Sequence, residues 1–444
     1  MSSFAGPEPV SSNPFTRIAL DLRHEREATV PFPAGDTWFS GRRTRRFMRE
    51  PLPLLLECYE RYGPVFTQRV FHHNVIFALG PEANHHILVT NAPNYSWRHG
   101  HLGDLMPLLG DGLLTIDGDF HRSSRKIMLP AFHRDRVAAW HEVMEDEVAR
   151  ALEDWHTGLE LDVYEWTRTL ALKIAMRALF GLDNSNAPTA GHDFEQALRF
   201  WSLEPTMQIL RGPRTPWAKM QAATARLDAI INSEIDSRRA SGARGDDILS
   251  LLIDAEDEAG AHLSNQHIRD EVMTLLFAGH DTTTSTVAFL FYELARNPEW
   301  QDTDFDLLLD ETLRLYPPAW IGPRRSVEPD VICGVPVPGG VPVNYNSWAS
   351  HHLPDVWEDP FRFDPERFAP GQRELIPKGA YVPFGGGSRT CIGMRFGQAE
   401  INVIGKRIRE RYTLGLQPGF ELSIHQMPTI TPRHGMPMTV RARS

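Results

Sequence analysis

The longest helical pattern in this chain runs from about Ser264 to Arg296. Ser264 can cap the helix, and Pro298 stands just beyond its end. At about 1.5 Å per residue the helix is about 50 Å long, enough to cross the molecule. The apolar face of its first half is formed by Ile268, Val272, Leu275 and Leu276. We therefore predict one long helix that spans the whole domain.

The pattern of this helix is broken between Ala278 and Thr286. A glycine, an acid and five hydroxyl residues stand there, where a buried helix favours Leu and Ala. Gly279 alone costs about 1 kcal/mol in a helix interior, and the β-branched threonines add to this. The run could be a solvated face, or its hydroxyl groups could bond to carbonyls one turn back. A local rule broken in an otherwise consistent helix also marks a candidate functional position.

The segments before the long helix show strand patterns first and helix patterns later. A short helix ends near Tyr62, and Val65–Val70 and Val75–Leu79 form a predicted hairpin. Most of the chain from about residue 119 to residue 296 has helical character. Residues 1–50, rich in Pro, Ser and Arg, predict an irregular N-terminal lead-in.

The last quarter of the chain is rich in Pro and Gly after Pro317-Pro318. Short valine-rich strands are predicted between Val331 and Val343, and a last helix ends near Tyr412. No internal repeat or interdomain linker is found. The pattern as a whole predicts a mainly α protein with small β-sheets, of the α+β class, folded as a single domain over residues 51–444.

Composition narrows the classes of function. The 444 residues carry a net charge of -11, which disfavours nucleic-acid binding because phosphate contacts need a basic excess. Cys58, Cys333 and Cys391 lie far apart, which disfavours a disulfide framework or a zinc site and favours a reducing compartment. No signal peptide is recognised, and no apolar run approaches the roughly 20 residues of a membrane span. We therefore expect a cytoplasmic protein without a membrane span.

Candidate chemistry concentrates in the stretch YVPFGGGSRTCIG, from Tyr381 to Gly393. Its glycines, Gly385–Gly387, allow backbone conformations closed to other residues and let the chain approach a flat ligand. Cys391 precedes the last helix, and a helix N-terminus stabilises a thiolate and lowers its pKa. Cys391 is therefore a candidate metal ligand or nucleophile.

Two simpler interpretations of this stretch compete. Phosphate binding is disfavoured, because Thr390 breaks the dinucleotide pattern of glycines and no Gly-Lys-Ser/Thr follows for a P-loop. A buried, inert cysteine is commoner in general. However, three glycines and Arg389 make a poor core segment.

The arrangement Phe384-x-x-Gly387-x-Arg389-x-Cys391-x-Gly393 resembles the haem-ligand signature of the cytochrome P450 family. The resemblance implies haem b (iron protoporphyrin IX), with the thiolate of this cysteine as the axial ligand of the iron. It also implies the cytochrome P450 fold, a triangular, helix-rich single domain with the haem between the long central helix and the helix after the cysteine. The three glycines would then form a surface of close approach to the haem, and the phenylalanine would cover it.

The break in the long helix has a counterpart in the same family. Ala278-Gly279-x-Asp281-Thr282 is similar to the oxygen-activation motif of haem-thiolate monooxygenases, in which the glycine lets a ligand approach and an acid and an alcohol manage protons. Cleavage of the O–O bond needs two protons, which a hydroxyl can position and a carboxylate can relay from solvent. The resemblance therefore implies that Asp281 and Thr282 are catalytic and that Ala278 and Gly279 contact the cofactor.

Glu311 and Arg314 lie three residues apart, on one face of a predicted helix. As an exposed pair they would contribute only about 0.2–0.5 kcal/mol and carry no function. Their spacing nevertheless resembles the family's Glu-x-x-Arg motif. The segment Pro365-Glu366-Arg367-Phe368 resembles the one whose arginine completes that buried network. The resemblance implies a structural role for Glu311, Arg314 and Arg367.

A buried haem also needs cationic or hydrogen-bonding partners for its two propionates. His121 and Arg125 lie four residues apart and face the same way on a helix that is similar to the family's propionate-binding helix. A basic solvated face is the competing interpretation. Arg389 is a third partner by its motif position. Either Arg324 or Arg325 is implied as a fourth, and the sequence leaves both open.

The resemblance implies a monooxygenase that uses O2 to hydroxylate or epoxidise an apolar small molecule, with electrons from a separate ferredoxin- or flavodoxin-type donor. A haem-thiolate peroxygenase or isomerase and a haem sensor or carrier are the alternatives, which the intact acid–alcohol pair disfavours. A basic patch on the thiolate side would steer an acidic donor, although cations near a helix C-terminus have their own favourable effect. The residues predicted for this patch are Arg122, Lys126, Arg134, Arg136, Arg395, Lys406, Arg407 and Arg409.

An apolar substrate is suggested by large apolar residues in the segments that the family places around its pocket. These residues are Trp97, Leu105, Met106, Leu109, Trp201, Met207, Ile209 and Leu210. The same residues could instead belong to the ordinary core, since large apolar side chains are commonly buried.

Overall fold

The computed structural model describes residues 7, 10–11, 13–182, 189–203, 205–256 and 260–443. Helices account for most of this part of the chain. The α-helices are α1 (Pro14–Glu27), α2 (Gly41–Arg49), α3 (Pro51–Tyr62), α4 (Pro81–His85), α5 (Met106–Leu109), α6 (Gly118–Met128), α7 (Arg134–Ala151), α8 (Val163–Phe180), α9 (Ala190–Arg199), α10 (Pro205–Gln208), α11 (Pro216–Ser241), α12 (Ile248–Asp254), α13 (Asn265–Arg296), α14 (Phe305–Leu315), α15 (Ser347–Ser350) and α16 (Met394–Arg411).

The strands are short and form four small sheets within the described residues. They are β1 (Gly35–Asp36), β2 (Val65–Val70), β3 (His73–Ala78), β4 (Tyr95–Ser96), β5 (Glu160–Asp162), β6 (Gly322–Ser326), β7 (Asp330–Ile332), β8 (Val335–Val337), β9 (Pro342–Tyr345), β10 (Tyr412–Leu416), β11 (Ile424–His425), β12 (Thr431–Pro432) and β13 (Pro437–Ala442). One sheet has the strand order β1-β2-β3-β9-β6-β4 and another β10-β13-β5, while β7 pairs with β8 and β11 with β12. The prediction of a mainly α protein with small sheets is confirmed.

The two best-defined predictions of local structure hold. Strands β2 and β3 form the predicted hairpin, with Val65 opposite Ala78 and Val70 opposite His73. The long helix is α13, and the Ser264 hydroxyl caps it by accepting the His267 N–H at 3.1 Å. In both segments the local sequence preference agrees with the structure that the tertiary contacts require.

The predicted irregular lead-in is wrong for much of residues 14–49, which form α1, β1 and α2. The side chains of Asn13 and Ser40 accept backbone N–H groups and cap the two helices. Helix α1 packs against β3, and its Glu25 pairs with Arg69 of the neighbouring strand β2 at 2.7 Å. These contacts stabilise a segment whose composition looks irregular. The domain division at residue 51 stays a prediction.

Helix α13 lies at the centre of the fold, with α8, α14 and α16 packed against it. Nearly every α13 side chain between Ile268 and Leu294 is buried, whether apolar or polar. The break in the helix pattern is therefore inside the protein and close to α16, the helix that follows Cys391. Within the part of the chain that the structure describes, no helix combines the length and apolar character that crossing a bilayer requires.

Candidate active site

A small accessible window opens in the buried stretch of α13. The side chains that are not buried there belong to Phe277, Ala278, Gly279 and Thr282. Among the described residues, nothing lies within 4 Å of a Cβ atom built on Gly279, so none of them packs on the helix at that point. The window thus coincides with the segment in which the sequence predicts close approach of a ligand.

The structure decides between the two simpler interpretations of the polar run. A solvated face is wrong, because Asp281 and the residues 283–286 are buried. Bonds back to the helix are confirmed, since the Thr282 hydroxyl donates to the Ala278 carbonyl at 2.8 Å. Thr284 and Thr286 bond back in the same way but are buried. Thr282 is the one of these three hydroxyl residues that a ligand can reach.

The Asp281 carboxylate lies behind the window and close to α8. Its Oδ1 atom is 3.0 Å from Nδ1 of His280, although the two are not aligned as a hydrogen bond. Burial raises the pKa of Asp281, but His280 and Arg168 outweigh this effect and hold the pKa below its ordinary range. The side chain of Arg168, on α8, is 21% exposed. A cation near the surface therefore stands beside the buried carboxylate.

Cys391 stands at the turn into α16 and is an exposed residue. Its backbone N–H donates to the Phe384 carbonyl at 2.9 Å. This bond closes the stretch from Tyr381 to Gly393 into a loop, which we call the cysteine loop. Desolvation by the surrounding protein raises the pKa of the thiol, and the Gly393 N–H, Arg125 and the Met394 N–H lower it by less. The predicted lowering of the pKa is therefore wrong for the protein alone, because loss of hydration by the sulfur outweighs Arg125 and the N–H groups at the start of α16.

The three glycines before Cys391 have different structural reasons. Gly385 and Gly387 adopt φ values of +69° and +61°, which favour glycine. A Cβ atom on Gly387 would lie 2.3 Å from the Leu88 carbonyl, and one on Gly386 would lie 3.4 Å from the Leu88 side chain. The close approach at these two positions is therefore made by the protein's own chain. The prediction that all three glycines face a ligand is therefore corrected for Gly386 and Gly387. Gly385 is the one of the three for which the prediction remains.

Gly393 differs from these glycines. It precedes α16 with a negative φ of -85°. A Cβ atom there would have its nearest contact 3.9 Å away, at Phe132. Neither the backbone conformation nor protein packing therefore demands glycine at this position.

Four basic side chains converge near the cysteine loop, and we call His121, Arg125, Arg324 and Arg389 the cation cluster. The guanidinium groups of Arg324 and Arg389 lie 3.7 Å and 5.2 Å from the centroid of the Trp97 ring. Arg125 donates to the carbonyl of the residue before the cysteine at 2.6 Å. His121 is buried, so a solvated helix face is the wrong interpretation for it.

The cation cluster holds more positive charge than the protein neutralises. Burial, together with Arg389 and Arg125, lowers the pKa of His121 to about 3. Burial lowers the pKa of Arg389 to about 10, although Asp117 opposes this effect. Nη2 of Arg389 donates to Asp117 at 2.7 Å, whereas its Nη1 is buried and has no hydrogen-bond partner in the described part of the chain. The arrangement calls for a further anion.

Arg324 and Arg325 point to opposite sides of β6. Arg324 is buried against Trp97 and donates to the Pro323 carbonyl at 2.9 Å. Arg325 donates instead to the Asp21 carboxylate and to two backbone carbonyls. The structure thus brings Arg324 into the cation cluster and corrects the prediction for Arg325.

A group with two carboxylates fits the cation cluster. Three guanidinium groups stand there with Asp117 as counter-charge, and one buried nitrogen has no partner. Buried cations of this kind are stabilised by charge-assisted hydrogen bonds to carboxylates. The two propionates of a haem meet this need, and Cys391 beside the cluster is a suitable axial ligand. The residues present therefore fit a haem.

Glu311, Arg314 and Arg367 form the buried network that the sequence predicts, and we call them the carboxylate–arginine network. Arg314 donates through Nε and Nη2 to both oxygens of Glu311 at 2.7 Å, and both side chains are fully buried. Nε of Arg367 lies 3.6 Å from Glu311 Oε1. An exposed pair is therefore the wrong interpretation.

His351 joins this network to the cysteine loop, and sequence reasoning missed it. Its Nε2 accepts the Val382 N–H at 2.9 Å, while its Nδ1 lies 3.1 Å from the Arg314 carbonyl. Burial and Arg314 lower the pKa of His351 to about 3, which keeps the ring neutral and able to accept. No local pattern distinguishes His351 from the other eighteen of the 19 histidines.

Glu400 on α16 is a second residue that sequence reasoning missed. It accepts the Thr283 hydroxyl of α13 at 2.8 Å, one position beyond Thr282. Burial raises the pKa of Glu400 to about 8, against the smaller lowering by Thr283. The carboxyl group is therefore protonated at neutral pH. The apolar pattern of the last helix, which indicates a buried face, was the signal in the sequence that could have revealed it.

An open depression of about 930 Å³ lies on the surface beside Cys391. Its lining consists of Arg125, Lys126, Leu129, Pro130, Phe132, His133, Asp135, Arg136, Cys391, Ile392, Met394 and Arg395. Lys126 and Arg395 are exposed at this depression. The structure thus brings members of the predicted basic patch together around the cysteine.

Other members of the predicted patch are engaged elsewhere. Arg407 pairs with Glu145 at 2.6 Å and also with Glu410. Arg409 is buried and donates to backbone carbonyls. The prediction is corrected for these two arginines, because last-helix cations are partly used to hold the helix in place.

The apolar residues that suggested a substrate are dispersed. Trp97 stacks with two arginines of the cation cluster. Leu105 and Leu109 belong to the main hydrophobic core, whereas Ile209 and Leu210 are exposed. These five side chains do not form one apolar lining.

Comparison with known proteins agrees with the geometry. The sequence model of the family described as "Cytochrome P450" matches residues 39–303 and 305–434. The chain is 30% identical over 438 residues to "Cyclooctat-9-en-7-ol 5-monooxygenase" of Streptomyces melanosporofaciens, covering 92% of this chain and 95% of that protein. It is 31% identical over 415 residues to "Cyclooctatin synthase" of the same organism, covering 86% and 90%.

Solved structures share the fold. "Retinoic acid bound cyanobacterial CYP120A1" superposes with a TM-score of 0.84 at 28% identity, covering 94% of this chain and 100% of that chain. "Crystal structure of cytochrome P450DA heme domain" superposes with a TM-score of 0.82, covering 94% and 98%; at 24% identity it supports the fold alone.

Proposed function

Because this chain belongs to the cytochrome P450 family, we propose roles for its individual residues in the chemistry of that family. The protein is a haem-thiolate monooxygenase that acts with haem b, O2 and a redox partner, and a cysteine thiolate is the axial ligand. The bound haem supplies the iron at which dioxygen is activated for transfer of one oxygen atom to the substrate. Cys391 is the proposed ligand, and the cation cluster is the proposed propionate site.

The observation that carries the catalytic proposal is the accessible window of α13. Ala278 and Gly279 leave the helix backbone open to a ligand, and the Thr282 hydroxyl is accessible beside them. Within the described residues the hydroxyl donates to the Ala278 carbonyl alone, a bond that rotation about χ1 can exchange. Thr282 Oγ1 would therefore orient a ligand or a water molecule at the window.

Asp281 is proposed to supply protons to this hydroxyl. Its pKa is held below the ordinary range by His280 and Arg168 despite the burial, so the carboxylate is ionised at neutral pH. An ionised carboxylate can take up a proton on the side of the partly exposed Arg168 and release it toward Thr282 Oγ1.

Coupling of electron use to product formation tests both roles. In Thr282→Ala, with reductase and O2, we expect hydrogen peroxide to replace product and the product per electron pair to fall at least about tenfold. Asp281→Asn should slow turnover by about 100-fold because proton delivery is lost. Thr284→Ala is the matched control, since this hydroxyl also bonds back to the helix at 2.8 Å but is buried. Unchanged coupling in Thr282→Ala would contradict the proposal.

The same experiment separates the alternative functions. A peroxygenase or isomerase would be fully active without an electron donor. A haem sensor or carrier would form no product under any of these conditions. Thr282→Ala would leave either alternative unaltered.

An acidic ferredoxin or flavodoxin is the proposed electron donor. Its proposed docking surface is the depression beside Cys391, where Lys126 and Arg395 are exposed. A basic rim around the thiolate side steers an acidic protein and shortens the path of the electron. The proposal thus narrows the predicted patch to the part that surrounds the cysteine.

Charge reversal at the rim tests this surface. Lys126→Glu and Arg395→Glu should each slow reduction by the donor about tenfold at low salt, and the difference should shrink as salt is added. Arg411→Glu is the control, because this exposed arginine lies at the far end of α16. Equal slowing in all three variants would mean that net charge, and not this surface, matters.

The proposed substrate is an apolar, mostly hydrocarbon molecule with a single oxygen function. The support comes from the names of the relatives, one acting on cyclooctat-9-en-7-ol and one binding retinoic acid. A panel of such alcohols and acids, read by the shift in haem spin state, should bind more tightly as apolar area increases. Preferential binding of highly polar analogues would contradict the class.

A reducing, cytoplasmic location completes the proposal. The cysteines of the chain, Cys58, Cys333 and Cys391, are all free. A protein whose axial ligand is a thiolate is protected from oxidation in such a compartment. Fractionation of the native host, with the protein recovered outside the cytosolic fraction, would contradict this location.

A further inference from the structure

A cluster of metal-ligand side chains lies away from the active site, between α1 and the turn of the β2–β3 hairpin. Asp21 comes from α1, while His72 and His73 come from the hairpin. Their ligand atoms all lie within 4.8 Å of one another. We propose that Asp21, His72 and His73 bind a divalent transition-metal ion, zinc foremost, which clips the N-terminal helix to the sheet.

The distances are close to those of a zinc site. Nε2 of His72 lies 3.0 Å and Nδ1 of His73 lies 3.9 Å from the same oxygen, Asp21 Oδ2. Ligand atoms about 2.0–2.1 Å from a tetrahedral zinc ion are about 3.3 Å apart. The Asp21–His72 separation is slightly short of this value, and the His73 ring must move about 0.6 Å closer to Asp21 Oδ2 to reach it.

His73 is the strongest indication of a ligand. The residue is only 4% exposed, and neither ring nitrogen has a hydrogen-bond partner among the residues that the structure describes. A buried neutral imidazole with no partner is costly in a protein interior, and coordination of a metal removes that cost.

Asp21 is oriented for the same purpose. Its Oδ1 atom is held by Arg325, which leaves Oδ2 facing the two imidazoles. Contacts of this kind fix ligating carboxylates in metal sites. Glu25, one turn along α1, is paired with Arg69, so the carboxylates and guanidinium groups around the site balance before a metal binds.

Two imidazoles and a carboxylate favour zinc among common divalent ions, because magnesium and calcium prefer oxygen ligands. The fourth position can be taken by water or by His101, whose ring centroid lies 5.3 Å from that of His73. The cysteine spacing that disfavours a zinc site does not bear on one built from histidine and aspartate.

The test uses untagged, haem-loaded protein that is treated with a chelator and then dialysed against zinc chloride. We expect about one zinc ion per haem iron by elemental analysis. His73→Ala and Asp21→Asn should weaken zinc binding by about 100-fold or more. The exposed His156→Ala is the control and should bind zinc as the unaltered protein does. The haem spectrum reports that each variant is folded, and His72→Gln replaces any variant that fails to hold haem.

Protection of α1 provides a second readout. Arg26 is exposed in the last turn of α1, so trypsin can cut there when the helix loosens. Zinc should slow this cut several-fold in the unaltered protein and have no effect in His73→Ala. Absence of zinc from the unaltered protein, zinc retained equally by all the variants, or a cut rate that zinc leaves unchanged would each overturn the assignment.

Discussion

The carboxylate–arginine network and the cation cluster both contain buried charges, but these charges are neutralised in different ways. In the network, Arg314 uses its donors on both oxygens of Glu311 and on backbone carbonyls, and neither side chain is exposed. In the cluster, Arg324 is stacked on Trp97 with a neighbouring carbonyl as its acceptor. The fully buried Glu311–Arg314 pair of the network is neutral within the protein, whereas the cluster is not.

This difference separates a structural site from a binding site. A buried charge without a partner is strongly unfavourable, so a protein keeps one only where something else neutralises it. The network therefore stabilises the fold by itself. The cluster, by contrast, is complete only with an anionic ligand, and we expect mutations in the two regions to have opposite effects on the haem-free protein.

The largest effect is expected for Arg314→Met. This change removes two guanidinium donors from the buried Glu311 carboxylate, which keeps the Asp364 N–H at 2.9 Å and Arg367 at 3.6 Å. Removal of one partner of a buried ion pair typically costs about 3–5 kcal/mol. Urea unfolding of the haem-free protein should show this loss, together with failure to take up haem, because His351 carries the network to the cysteine loop. Arg411→Met on the surface is the control, and a stability as high as the control's would contradict the closed character of the network.

The next effect concerns Glu400, a buried acid with a hydroxyl as its partner. Its pKa is about 8 in the folded protein against an ordinary value of 4.5. Between these pH values the folded state holds the proton and the unfolded state does not, so the free energy of unfolding falls as pH rises through this window. Glu400→Gln removes this dependence and should stabilise the protein by about 2 kcal/mol near pH 7.

Unfolding curves of both proteins across that window provide the measurement. The raised pKa of Glu400 by itself corresponds to a destabilisation of about 3 kcal/mol near pH 7. The amide NH2 of the glutamine has no acceptor, which reduces the stabilisation expected for Glu400→Gln. At the acidic end of the window, where the glutamate is protonated in both states, the gain should vanish and leave the cost of the unpaired amide, about 1 kcal/mol. A stabilisation that did not depend on pH would contradict the assignment.

Arg324→Met should weaken haem binding without weakening the haem-free protein. Loss of one propionate partner should speed haem transfer to an acceptor protein about tenfold, equal to about 1.4 kcal/mol. The haem-free variant should be as stable as the parent or more stable, since a buried cation without a counter-charge is removed. Arg325→Met is the neighbouring control and should leave haem transfer unchanged. Destabilisation of the haem-free protein by Arg324→Met would break the comparison.

The smallest effect is expected within the network itself. Arg367 approaches Glu311 only to 3.6 Å and its side chain is 14% exposed, so it is partly solvated. Arg367→Ala should cost about 1 kcal/mol in urea unfolding, well below the cost of Arg314→Met. Equal losses in the two variants would show that the three residues act as one unit.

Local chemistry in the sequence was enough for much of the architecture and for part of the site. The long helix α13 and the β2–β3 hairpin follow from spacing and capping, and the cysteine loop from a motif with fixed positions. In Glu311 and Arg314 the sequence placed two charges on one helix turn. Such features depend on residues that are near each other in the chain, because the backbone geometry limits the conformations of short segments.

Burial and long-range pairing were decided only by the tertiary structure. Arg324 and Arg325 are adjacent in sequence, but β6 turns one toward Trp97 and the other toward Asp21, because successive strand residues face opposite sides. The same holds for His351, whose partners lie in α14 and in the cysteine loop. Whether a buried charge is satisfied depends on groups brought in from distant parts of the chain, and no local pattern encodes that.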